Sequence, residues 1–444
     1  MFSVLANRTY RHLFAAQVIA LFGTGLMTVA LALLAYDLAG AEAGAVLGTA
    51  LAIKMIIYVS LSPVAAGFAS HFPRRAFLVV LDLIRAGVAI ALPFVDAVWQ
   101  VYLLIALLQS ASAAFTPTFQ ATIPDILPDE DDYTNALSLS RMAYDLENLL
   151  SPMVAAALIG LVGFHWLFGG TVAGFLVSAA LVVSVTLPAA TIVKHASPWK
   201  RISQGMQIYL KTPRLQGLFA LNLTIASAGA IVIVNSVVIV KTLLGRSDAD
   251  LALAMAAYGG GSMLMALALP RLLSSLKDRT IMVSGAFVLP LCLFGFSMLI
   301  LAFPLSALWY CLLLIWFLMG LANAAVLVPS GRLLRNSAHA EDRPMVFAAQ
   351  FALSHGCWMV TYPLAGWLGS GAGLSATVIT LAALAFIGVL AAARLWPASD
   401  ATVILHDHPE LPADHPHLKD ASGKRHAHMY VIDSLHASWP DGRA

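Results

Sequence analysis

The sequence predicts an all-α membrane protein, with twelve transmembrane helices arranged as two six-helix halves. Three observations lead there. Of its 444 residues 60% are hydrophobic and only 11% charged, and mean hydropathy is +0.84. Soluble domains carry about a quarter charged residues, so an ordinary soluble enzyme is excluded. The apolar residues fall in runs of the length a bilayer span needs, about 20 residues. Lys and Arg collect on alternate connections.

The runs lie near 12–36, 44–69, 76–95, 98–119, 138–162 and 167–188, and then near 214–243, 251–273, 281–303, 306–330, 345–369 and 373–395. This divides the chain into a first half (1–188), a central loop (189–213), a second half (214–395) and a polar tail (396–444). The basic N-terminus is followed by an apolar run that continues past Leu31 without a cleavage site, so it reads as a first span and not a removable signal. An even number of spans puts both termini on one side. Arg8, Arg11, Arg74, Arg75, Lys194, Lys200, Arg201, Arg271, Lys277, Arg332 and Arg335 belong to that side, whereas the other holds Lys241 and Arg246. The positive-inside rule makes the terminal side cytoplasmic.

Other classes fall away. A net charge of +2 is too balanced for nucleic-acid binding. Cys292, Cys311 and Cys357 lie in apolar runs without CxxC spacing, which speaks against disulfides or a cysteine zinc site. The chain has no GxxxxGK[ST] segment for ATP-driven pumping. Two bundles of six joined by a long loop is the layout of secondary transporters, whose substrate sites lie near the midplane between the halves.

Ionisable residues within spans are costly and are the first candidates for function. They are Lys54 in the second span, Asp82 and Arg85 in the third, Arg141, Asp145 and Glu147 in the fifth, and His355 in the eleventh. Asp82 and Arg85, three apart, can pair on one helix face, as can Arg141 and Asp145, four apart. Both pairs are expected near the cytoplasmic ends of their spans. Glu147 lies about 200° around the helix from Asp145 and shares a face with Ser151. It is a candidate proton carrier or cation ligand, with Lys54 as counter-ion or competitor. His355 shares a face with Met359 and is either a ligand, a proton carrier or a hydrogen-bonded packing residue. Asn222, Asn235 and Asn323 are further polar candidates.

The segment Ala66-Gly67-Phe68-Ala69-Ser70-His71-Phe72-Pro73-Arg74-Arg75 resembles the signature loop of the major facilitator superfamily between spans two and three. That implies a gating role for Arg74 and Arg75, although Ser70 stands where the family has an acid. Glu147 to Ala156 in span five resembles the exporter motif of that superfamily: Pro152 matches, and Ser151, Ala155 and Ala156 are small substitutes for glycine. The blocks VLANRTYRHLFAAQVIALFGTGL, LAYDLAGAEAGAVLGTALAIKM and LQSASAAFTPTFQATIPDILPDEDDYTNALSLSRMAYDLE resemble the superfamily's nickel-resistance exporters, which end in a histidine-rich cytoplasmic tail. The resemblance implies a bacterial inner-membrane exporter of nickel, with cobalt as a second cargo, with no resident cofactor and acting as a monomer.

Seven of the thirteen histidines lie in residues 406–436. His406/His408, His415/His417 and His426/His428 have His-x-His spacing, and His436 stands alone. Imidazole suits nickel, cobalt, copper and zinc ions. Pro409, Pro412 and Pro416 argue for a disordered tail that gathers weak ligands. Expelling a dication against an inside-negative potential costs roughly 4.6 kcal/mol per 100 mV, which return of protons offsets. The expected partners are thus a divalent metal ion, protons and lipid. Two other readings stay open: export of a drug or siderophore, and a non-transporting metal sensor or scaffold.

Overall fold

The computed structural model describes residues 2–69, 72–188, 198–302, 305–339, 342–399, 403–408, 425–433, 435–436 and 438–440. Six long helices make the first half: α1 (Arg8–Ala39), α2 (Ala43–Ala69), α3 (Arg74–Ala91), α4 (Val98–Ile126), α5 (Glu130–Val162) and α6 (His165–Val183). A short helix follows, α7 (Pro198–Lys211). The second half holds α8 (Pro213–Ala230), α9 (Asp248–Ser275), α10 (Asp278–Ala302), α11 (Leu305–Arg335), α12 (Arg343–Gly371) and α13 (Leu374–Leu395). α8 continues as π-helical turns through Ile231–Asn235 and Val238–Leu243. Among the described residues, nine stretches are long and apolar enough to cross a membrane, and the first of them spans α1 and α2 together.

Local chemistry sets the ends of these helices. The Asn7 side chain accepts the Tyr10 N–H at 3.1 Å and caps α1. Ser247 and Asp250 form a reciprocal capping box on α9. Among the described residues four have positive φ, and all are glycine: Gly40, Gly163, Gly245 and Gly373. They turn the chain after α1, α5, α8 and α12, all on the face opposite the termini and at matching places in the two halves. Only a residue lacking Cβ adopts that backbone freely.

Side chains sort by solvent. Trp99, Trp166, Tyr310 and Trp367 are exposed at that same opposite face, forming an aromatic girdle where lipid meets water. Leu267, Leu314 and Ile387 are exposed further along the bundle, as a lipid-facing surface requires. Within the halves α1 packs on α6 and α9 on α11. Between them α2 packs on α12 and α5 on α9, a pairing that repeats under exchange of the halves. Near the opposite face the α2–α12 seam closes on backbone. Gly44 and Gly48, one turn apart, meet Tyr362 and Gly366 backbone to backbone. Trp367 Nε1 donates to Thr49 Oγ1 at 3.0 Å, and Thr242 Oγ1 to the Tyr36 hydroxyl at 3.3 Å. These contacts close the opposite face.

The sequence reading needs correcting in three places. The central loop contains a helix, because Gly205, Ile208 and Tyr209 of α7 form a buried stripe whose Tyr209 donates to Gln350 of α12. The described tail residues are not disordered: β1 (Val403–Asp407) pairs antiparallel with β2 (Arg425–Met429), with His406 opposite His426. Tyr430, Val431 and Ile432 are then buried, so the tail has apolar contacts that its proline content conceals. Asp82 and Arg85 are not near a helix end. α3 starts at Arg74 and has 18 residues, so Asp82 lies about 12 Å along it, close to the middle.

Candidate functional site

Three of the intramembrane candidates come together. α2 carries Lys54, α5 carries Glu147 and α12 carries His355. Lys54 lies within charge–charge reach of both Glu147 and His355. The first two belong to one half and His355 to the other, so the cluster bridges the halves. All three are half-buried. A small cavity beside Lys54, about 20 Å³, is bounded by Thr24, Thr28, Gln109 and apolar neighbours. That is room for a water molecule.

The surrounding shell fixes these groups. His355 Nδ1 lies 2.7 Å from the Phe351 carbonyl, which can only accept. Nδ1 therefore carries the hydrogen and Nε2 keeps its lone pair. The Tyr58 ring stacks on the imidazole at 6.1 Å and 15°. The Tyr58 hydroxyl is in reach of Ser112 and Thr116, and Thr116 is also in reach of Tyr144, which contacts Gln17. Ser140 Oγ donates to Gln17 Oε1 at 3.0 Å. A chain of hydroxyl and amide groups thus leads from the cluster along α1 and α5 toward the face with the termini. Glu147 has its place because Gly25 of α1 has no side chain: a Cβ there would lie 3.1 Å from Glu147 Oε1 and overlap Ser151. Ser151 is the small residue that allows α1 and α5 to approach.

The other candidates lie elsewhere. Asp82 forms an ion pair with Arg85 and accepts from Ser178 Oγ of α6 at 2.7 Å. The Arg85 guanidinium stands 4.1 Å above the Phe115 ring and 4.6 Å from that of Phe175. These partners all belong to the first half, so the pair braces it. Arg74 makes an ion pair with Asp125 of α4, an acid from a different element than the one the signature loop would use. Arg75 is exposed. The side chains of Arg141, Asp145 and Pro152 lie outside the described residues. Asn222 Nδ2 donates to Gln350 Oε1 at 3.2 Å, and Asn235 Nδ2 to the Ala365 carbonyl at 3.3 Å.

In the tail, His436 does not stand alone. His406 Nε2 is 3.1 Å from His408 Nε2 and 3.0 Å from His436 Nε2. His415 and His417 lie outside the described residues, as do the side chains of His426 and His428. Asp433 accepts the backbone N–H groups of Leu435 and His436, each at 2.8 Å. Partial burial pushes its carboxyl up, but those donors and the His436 and His339 rings outweigh it and hold the group below the ordinary aspartate range.

Search for charge alone misses Tyr58, Tyr144 and Gln17. A helical-spacing rule would find two of them: Tyr58 is four residues from Lys54, and Tyr144 three from Glu147.

Known proteins match this architecture. Residues 13–300 match the family model for the Major Facilitator Superfamily. A curated relative, the uncharacterized MFS-type transporter YfiS of Bacillus subtilis (strain 168), is 24% identical over 164 residues, covering 35% of this chain and 39% of that protein. Among solved structures, a POT family transporter in complex with 5-aminolevulinic acid has a TM-score of 0.66 at 13% identity, covering 89% of this chain and 97% of that one. An inward-facing bacterial homolog of the human lysosomal transporter Spinster has a TM-score of 0.64 at 12% identity, covering 87% and 97%. The D-xylose-proton symporter has a TM-score of 0.63 at 14% identity, covering 89% and 97%. At these identities the likeness speaks for the fold. With the two six-helix halves, the seam between them and a family model spanning most of the chain, this protein belongs to the Major Facilitator Superfamily, as a multi-pass membrane transporter.

Proposed function

We propose that this chain is a proton-coupled secondary transporter that exports nickel, with cobalt as a second cargo, from the bacterial cytoplasm across the inner membrane, conferring metal resistance. The observation that supports this is the meeting of Glu147, Lys54 and His355 between the halves. A carboxylate and a lone-pair imidazole nitrogen are ligands for a borderline divalent ion. A lysine within charge reach of both competes, with its own charge, against a bound cation. Metal entry then requires the positive charge to be lost or moved, and proton entry restores it. One site thereby exchanges the two cargoes. The electrical part of exporting a dication is roughly 4.6 kcal/mol per 100 mV, and two returning protons cancel it.

Arg8, Arg11, Arg74, Arg75, Arg332 and Arg335 support a cytoplasmic placement of both termini. The cluster is assembled within one chain, which suffices as a monomer. A second reading, export of an organic compound such as a drug or siderophore, is favoured by the rings of Tyr58, Phe351 and His355. They stack at 3.8–6.2 Å and would suit a planar cargo.

The test is metal-stimulated proton flux in reconstituted vesicles, ion by ion, for the native chain and Glu147→Gln. Nickel-driven flux in the native chain that vanishes in the variant is expected. Full flux in Glu147→Gln would remove that carboxylate from the mechanism. Flux with planar organic cations but with no metal would move the assignment to the second reading.

A further inference from the structure

Three tail histidines turn ring nitrogens toward one another. His406 Nδ1 lies 2.9 Å from the Ile404 carbonyl, and His436 Nδ1 lies 2.8 Å from Asp433 Oδ1. Both partners are acceptors, so both rings carry their hydrogen on Nδ1. Their Nε2 atoms then present lone pairs, and these face each other at 3.0 Å. His408 Nε2 joins them, 3.1 Å from that of His406, and the three ligand atoms all lie within 4.8 Å of one another. Facing lone pairs repel. One proton can bridge one pair along one line, but three converging nitrogens call for a cation.

Ring geometry agrees. The ring centroids stand 4.9, 5.0 and 4.9 Å apart, with interplanar angles of 75°, 73° and 66°. That is a three-bladed propeller with its nitrogens turned inward. Imidazole nitrogens held at about 2.0–2.1 Å from one ion stand roughly 2.9–3.4 Å apart in octahedral or tetrahedral geometry. Both hydrogen-bonded Nδ1 atoms meet the second partner that metal-ligating histidines usually have, a carbonyl or a carboxylate.

The same carboxylate also reaches the transporter body. Asp433 Oδ2 lies 3.2 Å from His339 Nε2, in the connection between α11 and α12. Beside it the Arg214 guanidinium at the start of α8 lies 5.6 Å from the Trp439 ring. Tyr430 and Ile432 join the main apolar core. The ligands come from β1 and from a turn 30 residues later, and both are mounted on the second half.

We propose that His406, His408 and His436 form a built tri-imidazole centre for a borderline divalent cation, and that Asp433 is its positioning residue, orienting His436 while tying the centre to His339 of the second half. The centre does not depend on the transport reading above, because it is separate from the Glu147 cluster. A copper, nickel, cobalt or zinc ion fits its donor set. Asp433 and His339 tie the centre to the second half, so the centre travels with that half.

The test uses the purified full-length chain, stripped with chelator and titrated with Co²⁺, with visible absorption as the readout and protease resistance of the 397–402 linker as the measure of docking. The native chain and a His415→Ala/His417→Ala variant should each show one saturating cobalt spectrum. His436→Gln should lose it while staying docked. Asp433→Asn should weaken it by about 10–100-fold, the usual effect of removing such a partner. His339→Ala should keep the spectrum and speed cleavage of the linker. A native spectrum in His436→Gln, or one lost in His415→Ala/His417→Ala, would overturn the ligand set. Native affinity in Asp433→Asn, or an unchanged linker in His339→Ala, would overturn the positioning role. None of these results bears on the Glu147→Gln flux, so failure of the centre and failure of the transport reading are read separately.

Discussion

Gly48→Ala should open the face opposite the termini. A Cβ at Gly48 would lie 2.6 Å from the Tyr362 carbonyl oxygen, 3.2 Å from Gly366 Cα and 3.3 Å from the Tyr362 carbonyl carbon. All three neighbours are backbone, so no side chain can swing aside. Ordinary contact needs about 3.5–4.0 Å, and α2 must retreat from α12 by roughly 1 Å. Overpacking of this kind costs about 1–3 kcal/mol. The penalty falls only on the conformation in which the seam is closed, because the halves part when that face opens. At about 1.4 kcal/mol per tenfold, the closed population should drop by roughly 5–150-fold relative to the open one. Spin labels on Glu42 and Ala372, both exposed at that face, measure it once Cys292, Cys311 and Cys357 are replaced. The variant should gain a population at longer distance, and its transport should slow. A distance distribution that overlays the parent's, with unchanged flux, would refute the account of the seam.

Arg85→Ala leaves the Asp82 carboxylate, 0% exposed, without its ion-pair partner. Loss of one member of a buried pair costs about 3–5 kcal/mol, so thermal unfolding in detergent should move sharply downward; a melting temperature within a degree of the parent's would contradict the bracing role. Deleting residues 400–444 should leave metal-stimulated flux in vesicles measurable though weaker, because the Glu147 cluster is untouched; complete loss would favour a sensor or scaffold that acts through the tail.

The fold was legible because each span is an apolar run of bilayer length, and the Lys and Arg distribution gave the sidedness expectation. The helix in the central segment was hidden because its buried stripe is short, Gly205, Ile208 and Tyr209 in a polar stretch. The tail hairpin was hidden for a different reason. In RHAHM the histidines alternate with apolar residues and VILHD opens on three apolar residues, both compatible with strands, but the histidines read as ligands on a coil. Lys54, Glu147 and His355 could each be named from the cost of placing them in lipid. Their meeting could not, since they sit on three helices, every pair 93 or more residues apart, and no local spacing relates them. Likewise the partner of Arg74 is Asp125, half a bundle away in sequence.

The backbone-on-backbone crossing at Gly44, Gly48 and Gly366 has a consequence for control. A latch of carbonyls and α-carbons holds by fit, and its strength depends neither on salt nor on acidity. In the proposed proton-coupled cycle the response to acidity therefore belongs to the titrating groups between the lobes, and this crossing simply follows.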